Sequence, residues 1–461
     1  MLQRYIGDRA FYRRAMTIAL PIVIQNAITS FVSLLDNIMV GQVGQLPMSG
    51  TSIINQLMFI FTLAIFGANA GAGIFTAQFF GNHDTEGVRH TFRFKLMCCT
   101  LLTVLVGGIF LLLDDQLIGL YLQGEGSAED AAAIMRHGKD YLHMMLWGLI
   151  PFALCNAYSG TLRETGQTVV PMIGSITAVF LNLILNWVLI FGHFGLPAMG
   201  VRGAALATVI SRFVELAVVA TWTHLNPKKN PFIRGAFRSM YVPGKLLGGI
   251  LRKGSPLMIN EVLFSIGLAT ANQSYSTCGL DVVPALNICG TVFNLSGVAY
   301  MAMGNAVGII MGQMMGAGKP KEEIRDTNNK LLALALASGV LFMFLTALGS
   351  QLFPLLYNTT DYVRTLAGQL ILIDAAMVPA FAYVHAAYFS FRAGGKTFMT
   401  FLFDCGFLWG MLVPCAYVLS RFTNLDIVTL YLICQSLEYV KAFAGALMLR
   451  NDFWIQNLAK K

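Results

Sequence analysis

Six acidic side chains lie within long apolar stretches of this sequence: Asp36, Glu215, Glu261, Asp374, Asp404 and Glu438. A charge at the centre of a bilayer costs about 2.5–3.5 kcal/mol even on the lenient insertion scale, so such acids mark binding sites unless a neighbour neutralises them. Arg212 precedes Glu215 by three residues and Lys441 follows Glu438 by three, spacings that share a helix face. We expect these two acids to be structural and the other four to bind ions or substrate.

Asp36 belongs to a polar stripe on an otherwise apolar predicted helix. The periodicity of an α-helix places four polar residues on one face: Gln25, Thr29, Ser33 and Asp36. Such a stripe is expected to line a cavity, where Asp36 could bind an ion. The alternative is a protonated carboxyl that only hydrogen-bonds a neighbouring helix.

Two asparagines on the fifth predicted span could complete a site around Asp36. Asn182 and Asn186 are four residues apart on one helix face, and Thr208 lies on the sixth predicted span. If the three converge on Asp36, their oxygens suit Na⁺ or a shuttled proton. For the asparagines alone, hydrogen bonding between helices is an equally good interpretation.

The second half of the chain contains its own candidates. Glu261 and Asp374 have no basic residue one helical turn away, so they could form a second site for Na⁺ or for the cationic end of a substrate. Asp404 is a further cavity candidate without a local partner. His385 shares the face of Asp374, but a packing histidine is the better interpretation.

The elements that position these residues are membrane helices. The 461 residues are 56% hydrophobic and 12% charged, with a mean hydropathy of +0.65, more apolar surface than a soluble fold covers. A span needs about 20 apolar residues, and twelve candidates begin near residues 15, 52, 96, 141, 169, 203, 257, 282, 331, 366, 398 and 427. The sequence predicts an all-α membrane protein with twelve transmembrane helices.

The twelve predicted spans consist of one unit repeated. The stretch from Gly73 to Gly81 recurs 235 positions later, from Gly308 to Gly316, and the same offset places Asn26 where the second half has Glu261. Further matches are Pro21 with Pro256, and Arg163, Gly166 and Thr168 with Arg392, Gly395 and Thr397. Six spans per copy give two parallel lobes, the usual build of a secondary transporter whose substrate site lies between repeats.

The basic residues predict the topology. When the N-terminus and every second loop are assigned to one side, 24 of the 31 Lys and Arg fall there and five on the other side. The positive-inside rule then places both termini in the cytoplasm. The net charge of +8 is explained by this orientation, and no nucleic-acid partner is expected.

The topology gives three regions. Residues 1–223 are expected to form an N-terminal six-helix lobe, 224–253 a basic cytoplasmic linker, and 254–461 a C-terminal six-helix lobe. The eight cysteines lie in or near apolar spans without C-x-x-C spacing and are interpreted as small core residues. No H-E-x-x-H or G-x-S-x-G motif occurs, so the chain is not expected to be an enzyme.

Several segments together resemble the multidrug and toxic compound extrusion (MATE) family, over nearly the whole chain. They are Leu34–Gly44 after Pro21, Leu181–Asn186 followed by Ile190–Gly192, Gly203–Thr208, and the paired Arg163/Gly166/Thr168 and Arg392/Gly395/Thr397 turns. The resemblance implies two six-helix lobes around a V-shaped central cavity. It also implies export of organic, often cationic compounds in exchange for inward H⁺ or Na⁺.

The resemblance assigns roles to the candidate residues. Asp36 matches the family's ion-coupling acid, surrounded by Asn182, Asn186 and Thr208, while Glu261 and Asp374 match acids that the NorM-like branch uses for cations. Gln25, Asn26, Asp404 and His385 remain cavity candidates. Na⁺ could bind at Asp36 or at Glu261 and Asp374. Some relatives have Asp where this chain has Asn186, so the site at Asp36 in the first lobe has one carboxylate fewer than in those relatives.

The sequence thus predicts a monomeric antiporter of small organic molecules in the cytoplasmic membrane. H⁺ or Na⁺ is the expected coupling ion, and no other cofactor is expected. A flippase of lipid-linked precursors, from the same superfamily, is the closest alternative, although such flippases have basic cavity residues and the isolated charges here are acids. A channel or receptor would explain neither the doubled unit nor the acids.

Overall fold

The computed structural model describes residues 5–122, 127–357 and 359–460, and within these the regular secondary structure is helical. The α-helices in chain order are α1 (Arg9–Gly41), α2 (Gln45–Gly81), α3 (Thr85–Leu112), α4 (Asp114–Gly119), α5 (Ala128–Met145), α6 (Leu149–Glu164), α7 (Val169–Phe191), α8 (Val201–Leu225), α9 (Gly244–Ser276), α10 (Val282–Gly316), α11 (Lys321–Leu352), α12 (Asp361–Ala393), α13 (Thr397–Phe401), α14 (Val413–Phe422) and α15 (Ile427–Leu449). Two π-helical segments, Leu402–Gly406 and Leu408–Leu412, lie between α13 and α14.

Each of the twelve predicted spans corresponds to helical structure. In the described part of the chain, ten helices are long and apolar enough to cross a membrane by length and composition. The other two predicted spans are α5 with α6, which are joined by a 3-10 turn at Leu146–Gly148, and α9. Polar residues lower the hydropathy of both, and α9 contains the candidate acid Glu261.

Helix boundaries follow from local side-chain chemistry. Asp84 begins α3 by accepting a hydrogen bond from the Gly87 amide at 2.8 Å, and Asp426 begins α15 by accepting from the Thr429 amide at 3.1 Å. These carboxylates satisfy amides that have no partner in the first helical turn. At the other end, α7 stops at Gly192, whose φ of 76° is left-handed.

The duplication is visible in the backbone as well as in the residues. Gly44 and Gly279, related by the 235-residue offset, have φ values of 137° and 153°. His83 and its counterpart Gly318 are left-handed at 57° and 69°. The two copies therefore turn in the same way between their first and second and between their second and third spans.

The repeated glycine motif packs against its own copy. A Cβ built on Gly81 would collide with the backbone of Gln313, and one built on Gly316 would collide with the backbone of Gln78. These pairs are reciprocal, because 78 and 81 plus 235 give 313 and 316. Small residues allow helix backbones to approach this closely in membranes, and here they join the ends of α2 and α10.

Contacts divide the chain into two compact units. One contains the described residues of Met1–Val23, Ala77–His83 and Leu251–Lys461, and the other contains Ile24–Thr76 and Asp84–Ile250. In the first unit, buried apolar side chains of α10, α11 and α12 pack with the start of α1 and with Trp454. Both units are helical bundles whose candidate residues project from several different helices.

The C-terminal segment folds back onto the ends of three helices. Trp454 is completely buried, and Asn457 donates to the Gly316 carbonyl at 3.3 Å. Gln78, also fully buried, donates to the carbonyls of Ala393 at 2.8 Å and Gln456 at 3.1 Å. The segment after α15 therefore fixes the end of α2 to the ends of α10 and α12.

The segment between α8 and α9 is anchored to α3. Arg93 donates from Nε to the Ala236 carbonyl and from Nη2 to the Gly235 carbonyl, both at 2.8 Å. Phe232 is buried beside Phe92, with ring centroids 5.4 Å apart. The helix α9 begins at Gly244, inside the range 224–253 expected for the linker.

Candidate ion-coupling sites

Asp36 is hydrogen-bonded by the asparagines of α7. The Asn186 amide nitrogen lies 2.8 Å from Asp36 Oδ1, and it also lies 3.2 Å from Asn182 Oδ1. Asn186 is 2% exposed and Asn182 is 7% exposed, whereas Asp36 is half-buried. The sequence-predicted convergence of Asn182 and Asn186 on Asp36 is present in this unit.

The Asn182 amide lies between Asp36 and Thr208, and two orientations of its nitrogen and oxygen fit the same position. In one, its nitrogen donates to Thr208 Oγ1 at 3.2 Å and its oxygen faces Asp36. In the other, its nitrogen donates to Asp36 Oδ2 at 2.9 Å and its oxygen accepts from Thr208 Oγ1 at 3.2 Å. The first orientation suits a protonated Asp36, which can donate to the amide oxygen, and the second suits an ionised one.

The oxygen of Asn186 is also informative. Asn186 Oδ1 is buried without a hydrogen-bond partner among the described residues. A buried acceptor without a donor is costly, and it is satisfied by a water, a proton-bearing group or a cation. With the Asp36 carboxylate nearby, the oxygen donors of this site match a hard cation or a proton.

Other residues of the predicted stripe have different environments. Gln25 is buried and accepts from Arg163 Nη2 at 2.9 Å. Thr29 and Ser33 are exposed, and Asn26 is half-buried. Gln25 therefore pairs with the half-buried Arg163, which the sequence indicated only as part of a cytoplasmic turn.

In the other unit, Asp374 is fully engaged by its neighbours. Tyr431 Oη lies 3.0 Å and 3.2 Å from its two carboxylate oxygens, and Cys289 Sγ lies 3.0 Å from Oδ2. Asp374 is 3% exposed. These donors come from α10 and α15, so the carboxyl of α12 is fixed by two neighbouring helices.

Glu261 lies in a different environment from Asp374. The charges that act on its carboxyl are those of Arg392 and Asp404. Among the described residues, the hydrogen bonds and charged neighbours of Asp374 do not include Glu261. The predicted joint Glu261 and Asp374 site therefore remains a prediction, to be tested on its separate members.

The expectation that Asp404 lacks a basic partner is wrong. Lys441 Nζ lies 2.8 Å from Asp404 Oδ1 and 3.9 Å from Glu438 Oε1. Sequence spacing pairs Lys441 with Glu438 on the same helix, but the closer carboxylate belongs to another helix. A pairing between helices is not visible in the spacing of residues along one of them.

His385 packs within its unit. Its Nδ1 lies 3.1 Å from the Phe381 carbonyl, and its ring centroid lies 4.7 Å from that of Tyr300. A carbonyl only accepts, so Nδ1 carries a proton and donates. This geometry agrees with the packing histidine preferred from the sequence.

The neutral donors around the acids were not predicted from the sequence. Tyr431 and Cys289 bind Asp374, and Asn260 donates to Asp404 Oδ2 at 3.0 Å. Cys289 was interpreted as a small core residue, yet its thiol is a hydrogen-bond donor to a buried acid. Polar residues that face an acid across helices have no sequence signal apart from their presence in an apolar span.

The fold and the two sites define the class of protein. Apolar helices in two copies of one unit, with hydrogen-bonded carboxyl groups inside each of the two compact units, are the build of a membrane transporter. The chain belongs to the MatE family, whose family model matches residues 21–188 and 256–415. This match covers both copies of the repeat.

Known proteins similar to this chain span almost its full length. A probable multidrug resistance protein NorM of Thermotoga maritima is 26% identical over 426 residues, covering 90% of this chain and 87% of that protein. The multidrug resistance protein NorM of Vibrio cholerae is 26% identical over 412 residues, covering 87% of this chain and 86% of that protein.

Solved structures share the fold. A multidrug resistance MATE family transporter in an outward-facing conformation aligns with a TM-score of 0.85 at 18% identity, covering 97% of this chain and 98% of that chain. The Vibrio cholerae MATE transporter VcmN in its bent form aligns with a TM-score of 0.83 at 19% identity, covering 98% and 99%.

Proposed function

We propose that this protein is a secondary antiporter that exports organic, cationic and amphipathic compounds across the cytoplasmic membrane in exchange for H⁺ or Na⁺. It works by alternating access as a monomer, and the coupling ion is its only cofactor. Family membership and the multidrug resistance names of the NorM relatives support the substrate class. The observation on which the proposal rests is the Asp36 carboxyl bonded by two buried asparagines.

Asp36 couples ion binding to conformation through its hydrogen bonds. An ionised carboxylate accepts from Asn186 and from the Asn182 nitrogen, whereas a protonated or cation-bound one favours the other Asn182 orientation. A ligand shifts a conformational equilibrium only by its different affinity for the two states. The asparagines of α7 supply that difference, because their bonds to α1 change when the ion arrives.

Glu261 and Asp374 provide a second cation site in the C-terminal half under this proposal. Asp374 is bonded by Tyr431 and Cys289, and Glu261 lies in the field of Arg392 and Asp404. The two acids have separate surroundings, so each would act through its own neighbours. The second site would bind Na⁺ or the positive end of the substrate.

The contacts of four buried or half-buried basic residues disfavour the flippase alternative. Lys95 is paired with Glu164, and Lys441 is paired with Asp404. Arg163 donates to Gln25, and Arg212 lies in the field of Glu215. These cations are engaged by acids or amides, so they are poorly placed to bind the diphosphate of a lipid-linked precursor.

Efflux from proteoliposomes tests the proposal. Purified protein is reconstituted with ethidium as the probe, and H⁺ and Na⁺ gradients are imposed separately. We expect ethidium export with at least one gradient and, in Asp36→Asn, its loss to the rate of protein-free vesicles. Asp281→Asn, an exposed acid whose side chain makes no cap hydrogen bond, is the matched control and should retain export. Unimpaired export in Asp36→Asn would return Asp36 to a structural role.

A further inference from the structure

A groove opens on the surface of α3 beside the segment that joins α8 to α9. It has a volume of about 510 Å³ and is lined by apolar side chains and one threonine. Met97, Leu101 and Val104 form its wall on α3, and Phe237 and Met240 of the joining segment form the opposite wall. All of them belong to the same compact unit. The groove is therefore a feature of one helical bundle and the segment attached to it.

The length of the groove fits within one membrane leaflet. Met97 and Val104 are seven residues apart on α3, which corresponds to about 10 Å of helix. The hydrocarbon core of a bilayer is about 30 Å thick, so that one leaflet supplies about half of this length. A groove of these dimensions, with apolar walls, suits part of the acyl chain of a lipid.

The joining segment exposes large apolar side chains although it is otherwise polar and basic. Phe237 is 55% exposed and Met240 is 41% exposed, and both lie outside the α-helices. Exposed apolar groups beside polar ones mark contact with a membrane or another apolar partner. Aromatic side chains in particular collect where a membrane protein meets the lipid head groups. This side of the groove is therefore suited to the boundary between head groups and acyl chains.

Contacts with α3 and α8 fix the joining segment in this position. In addition to its bonds to two earlier carbonyls of the segment, Arg93 donates from Nη1 to the Tyr241 carbonyl at 3.3 Å, and His90 Nδ1 lies 3.2 Å from the same oxygen. The Phe237 ring stacks on His224 with the ring centroids 5.8 Å apart. Since backbone carbonyls occupy its guanidinium, Arg93 positions the wall of the groove and does not itself bind a ligand.

The charge beside the groove is positive. Arg234 and Arg238 are exposed and lie three residues before and one residue after Phe237. The sequence contains no acid from residue 216 to residue 260. On α3, Glu86 already forms an ion pair with an arginine of its own helix. The two exposed guanidinium groups are therefore suited to an anionic partner, and the apolar groove beside them indicates that this partner also has an acyl chain.

We propose that this groove binds an anionic phospholipid from the leaflet next to the joining segment, which is the cytoplasmic leaflet in the predicted topology. One acyl chain lies between α3 and the side chains of Phe237 and Met240, and Arg234 and Arg238 bind the phosphate. Arginine suits a phosphate because its planar guanidinium donates two parallel hydrogen bonds. Basic pockets beside membrane helices bind such head groups. The site is separate from the residues of the proposed transport cycle.

Native mass spectrometry of the purified protein in detergent tests the site. The protein is titrated with phosphatidylglycerol and, separately, with phosphatidylcholine that has the same acyl chains. We expect the first phosphatidylglycerol to bind about tenfold more tightly than phosphatidylcholine, because only its net charge is negative. The measurement uses neither ethidium nor an ion gradient, so its outcome does not depend on whether the protein transports. Equal affinities for the two lipids would overturn the proposal and leave only ordinary contact with the surrounding bilayer.

Variants of the basic residues separate a phosphate site from diffuse attraction. Arg238→Gln combined with Arg234→Gln should weaken phosphatidylglycerol binding by about tenfold and leave phosphatidylcholine binding unchanged. Lys228→Gln is the control, because it removes a positive charge from the same exposed segment ten positions away from Arg238. We expect it to bind phosphatidylglycerol as the wild type does. If Lys228→Gln lost as much affinity as the double variant, the attraction would depend on net charge alone and the site would be refuted.

A second pair of variants tests the groove itself. Leu101→Trp places a large ring in the groove and should abolish the preference for phosphatidylglycerol. Leu111→Trp is the matched control on the same helix, since Leu101 and Leu111 are 60% and 58% exposed and Leu111 does not line the groove. Both positions are at the surface, so the midpoint of thermal unfolding without added lipid should stay at the wild-type value and exclude misfolding. Undiminished phosphatidylglycerol binding by folded Leu101→Trp would rule out the groove.

Discussion

At the level of single residues, the contacts of Asp36 show that a proton site and a cation site differ by only a few oxygen ligands. One carboxylate and two asparagine amides form the proposed ion site, and Asn186 Oδ1 is an acceptor without a hydrogen-bond partner among the described residues. Hard cations favour several oxygen ligands with negative charge. A single amide-to-carboxyl change should therefore alter the ion preference without moving any helix.

Replacing Asn186 by Asp tests this directly. The new carboxyl would stand where an amide now lies 2.8 Å from Asp36 Oδ1, and two carboxylates so close require a shared proton or a cation between them. We expect Asn186→Asp to bind Na⁺ at least tenfold more tightly, about 1.4 kcal/mol. Isothermal titration with NaCl measures this.

Asn186→Leu is the control for the loss of the amide alone. It removes the donor without adding charge, so Na⁺ affinity should not increase. If Asn186→Asp and Asn186→Leu bind Na⁺ equally, the carboxyl count of the first site does not determine its ion preference.

Tyr431 has a comparable role for Asp374. Its hydroxyl bonds both carboxylate oxygens, and Tyr431 and Asp374 are only 5% and 3% exposed. Removing the partner of a buried polar group costs about 1–3 kcal/mol, and more for a charged one. Tyr431→Phe is expected to destabilise the protein by that amount, seen as a lower midpoint of thermal unfolding in detergent.

Tyr439 offers a matched comparison on the same helix. Its hydroxyl donates to the Ala376 carbonyl at 2.6 Å, but the residue is 48% exposed and this carbonyl lies inside α12, where the helical hydrogen bond still satisfies it. Tyr439→Phe should change the midpoint much less than Tyr431→Phe. Equal midpoints for the two variants would show that the Asp374 contacts contribute little to stability.

At the level of elements, the repeated glycine motif joins α2 to α10. Ala77 and Gly81 on one helix, and Gly312 and Gly316 on the other, have the small-x-x-x-small spacing that lets helices approach closely. The motif was found because it repeats, but the sequence did not show that its two copies contact each other. The structure explains why both copies retain small residues there.

Adding one methyl group at Gly316 should disrupt this contact. The new Cβ would overlap the backbone of Gln78, which cannot rotate away. We expect Gly316→Ala to destabilise the protein by about 1–3 kcal/mol, as overpacking does. The midpoint of thermal unfolding measures the effect.

Gly290 is the matched control, because it lies in the same helix and a Cβ there meets no atom within 4 Å. Gly290→Ala reduces the freedom of the unfolded chain and should be neutral or stabilise by about 0.4–1 kcal/mol. If Gly316→Ala were as stable as Gly290→Ala, the contact between α2 and α10 would contribute little to the free energy of unfolding.

The sequence predicted the helices and part of the first site, but it did not predict the pairings between helices. Asp36, Asn182 and Asn186 were identifiable because an acid and two amides are conspicuous in apolar spans. The sequence pairs Lys441 with Glu438, three positions away, although Asp404 is closer in space. The spacing of residues along one helix can be read from the sequence, whereas the distance between residues of different helices depends on how the helices pack.

At the scale of the whole molecule, independent contacts support the predicted topology. The turn after α2, the turn after α10, the turn after α12 and the C-terminal segment are all expected on the cytoplasmic side. In the structure, Gln78 donates to the carbonyls of Ala393 and Gln456, and Asn457 donates to the carbonyl of Gly316. Segments that touch one another must lie on the same side of the membrane, which agrees with the 24 to 5 division of basic residues.

Labelling of single introduced cysteines in intact cells decides the orientation. Arg238 is exposed in the segment between α8 and α9, and Leu280 is 96% exposed in the turn between α9 and α10. The topology places them on opposite sides, separated only by α9. All eight native cysteines are buried or half-buried, so their background labelling should be low.

A membrane-impermeant maleimide should therefore label Leu280→Cys in intact cells and Arg238→Cys only after the membrane is permeabilised. The physical reason is that basic segments stay on the cytoplasmic side during insertion, and the segment containing Arg238 is the most basic in the chain. The reverse pattern would place both termini outside. Labelling of both positions without permeabilisation would mean that α9 does not span the membrane, and the twelve-span topology would fail at the helix that contains Glu261.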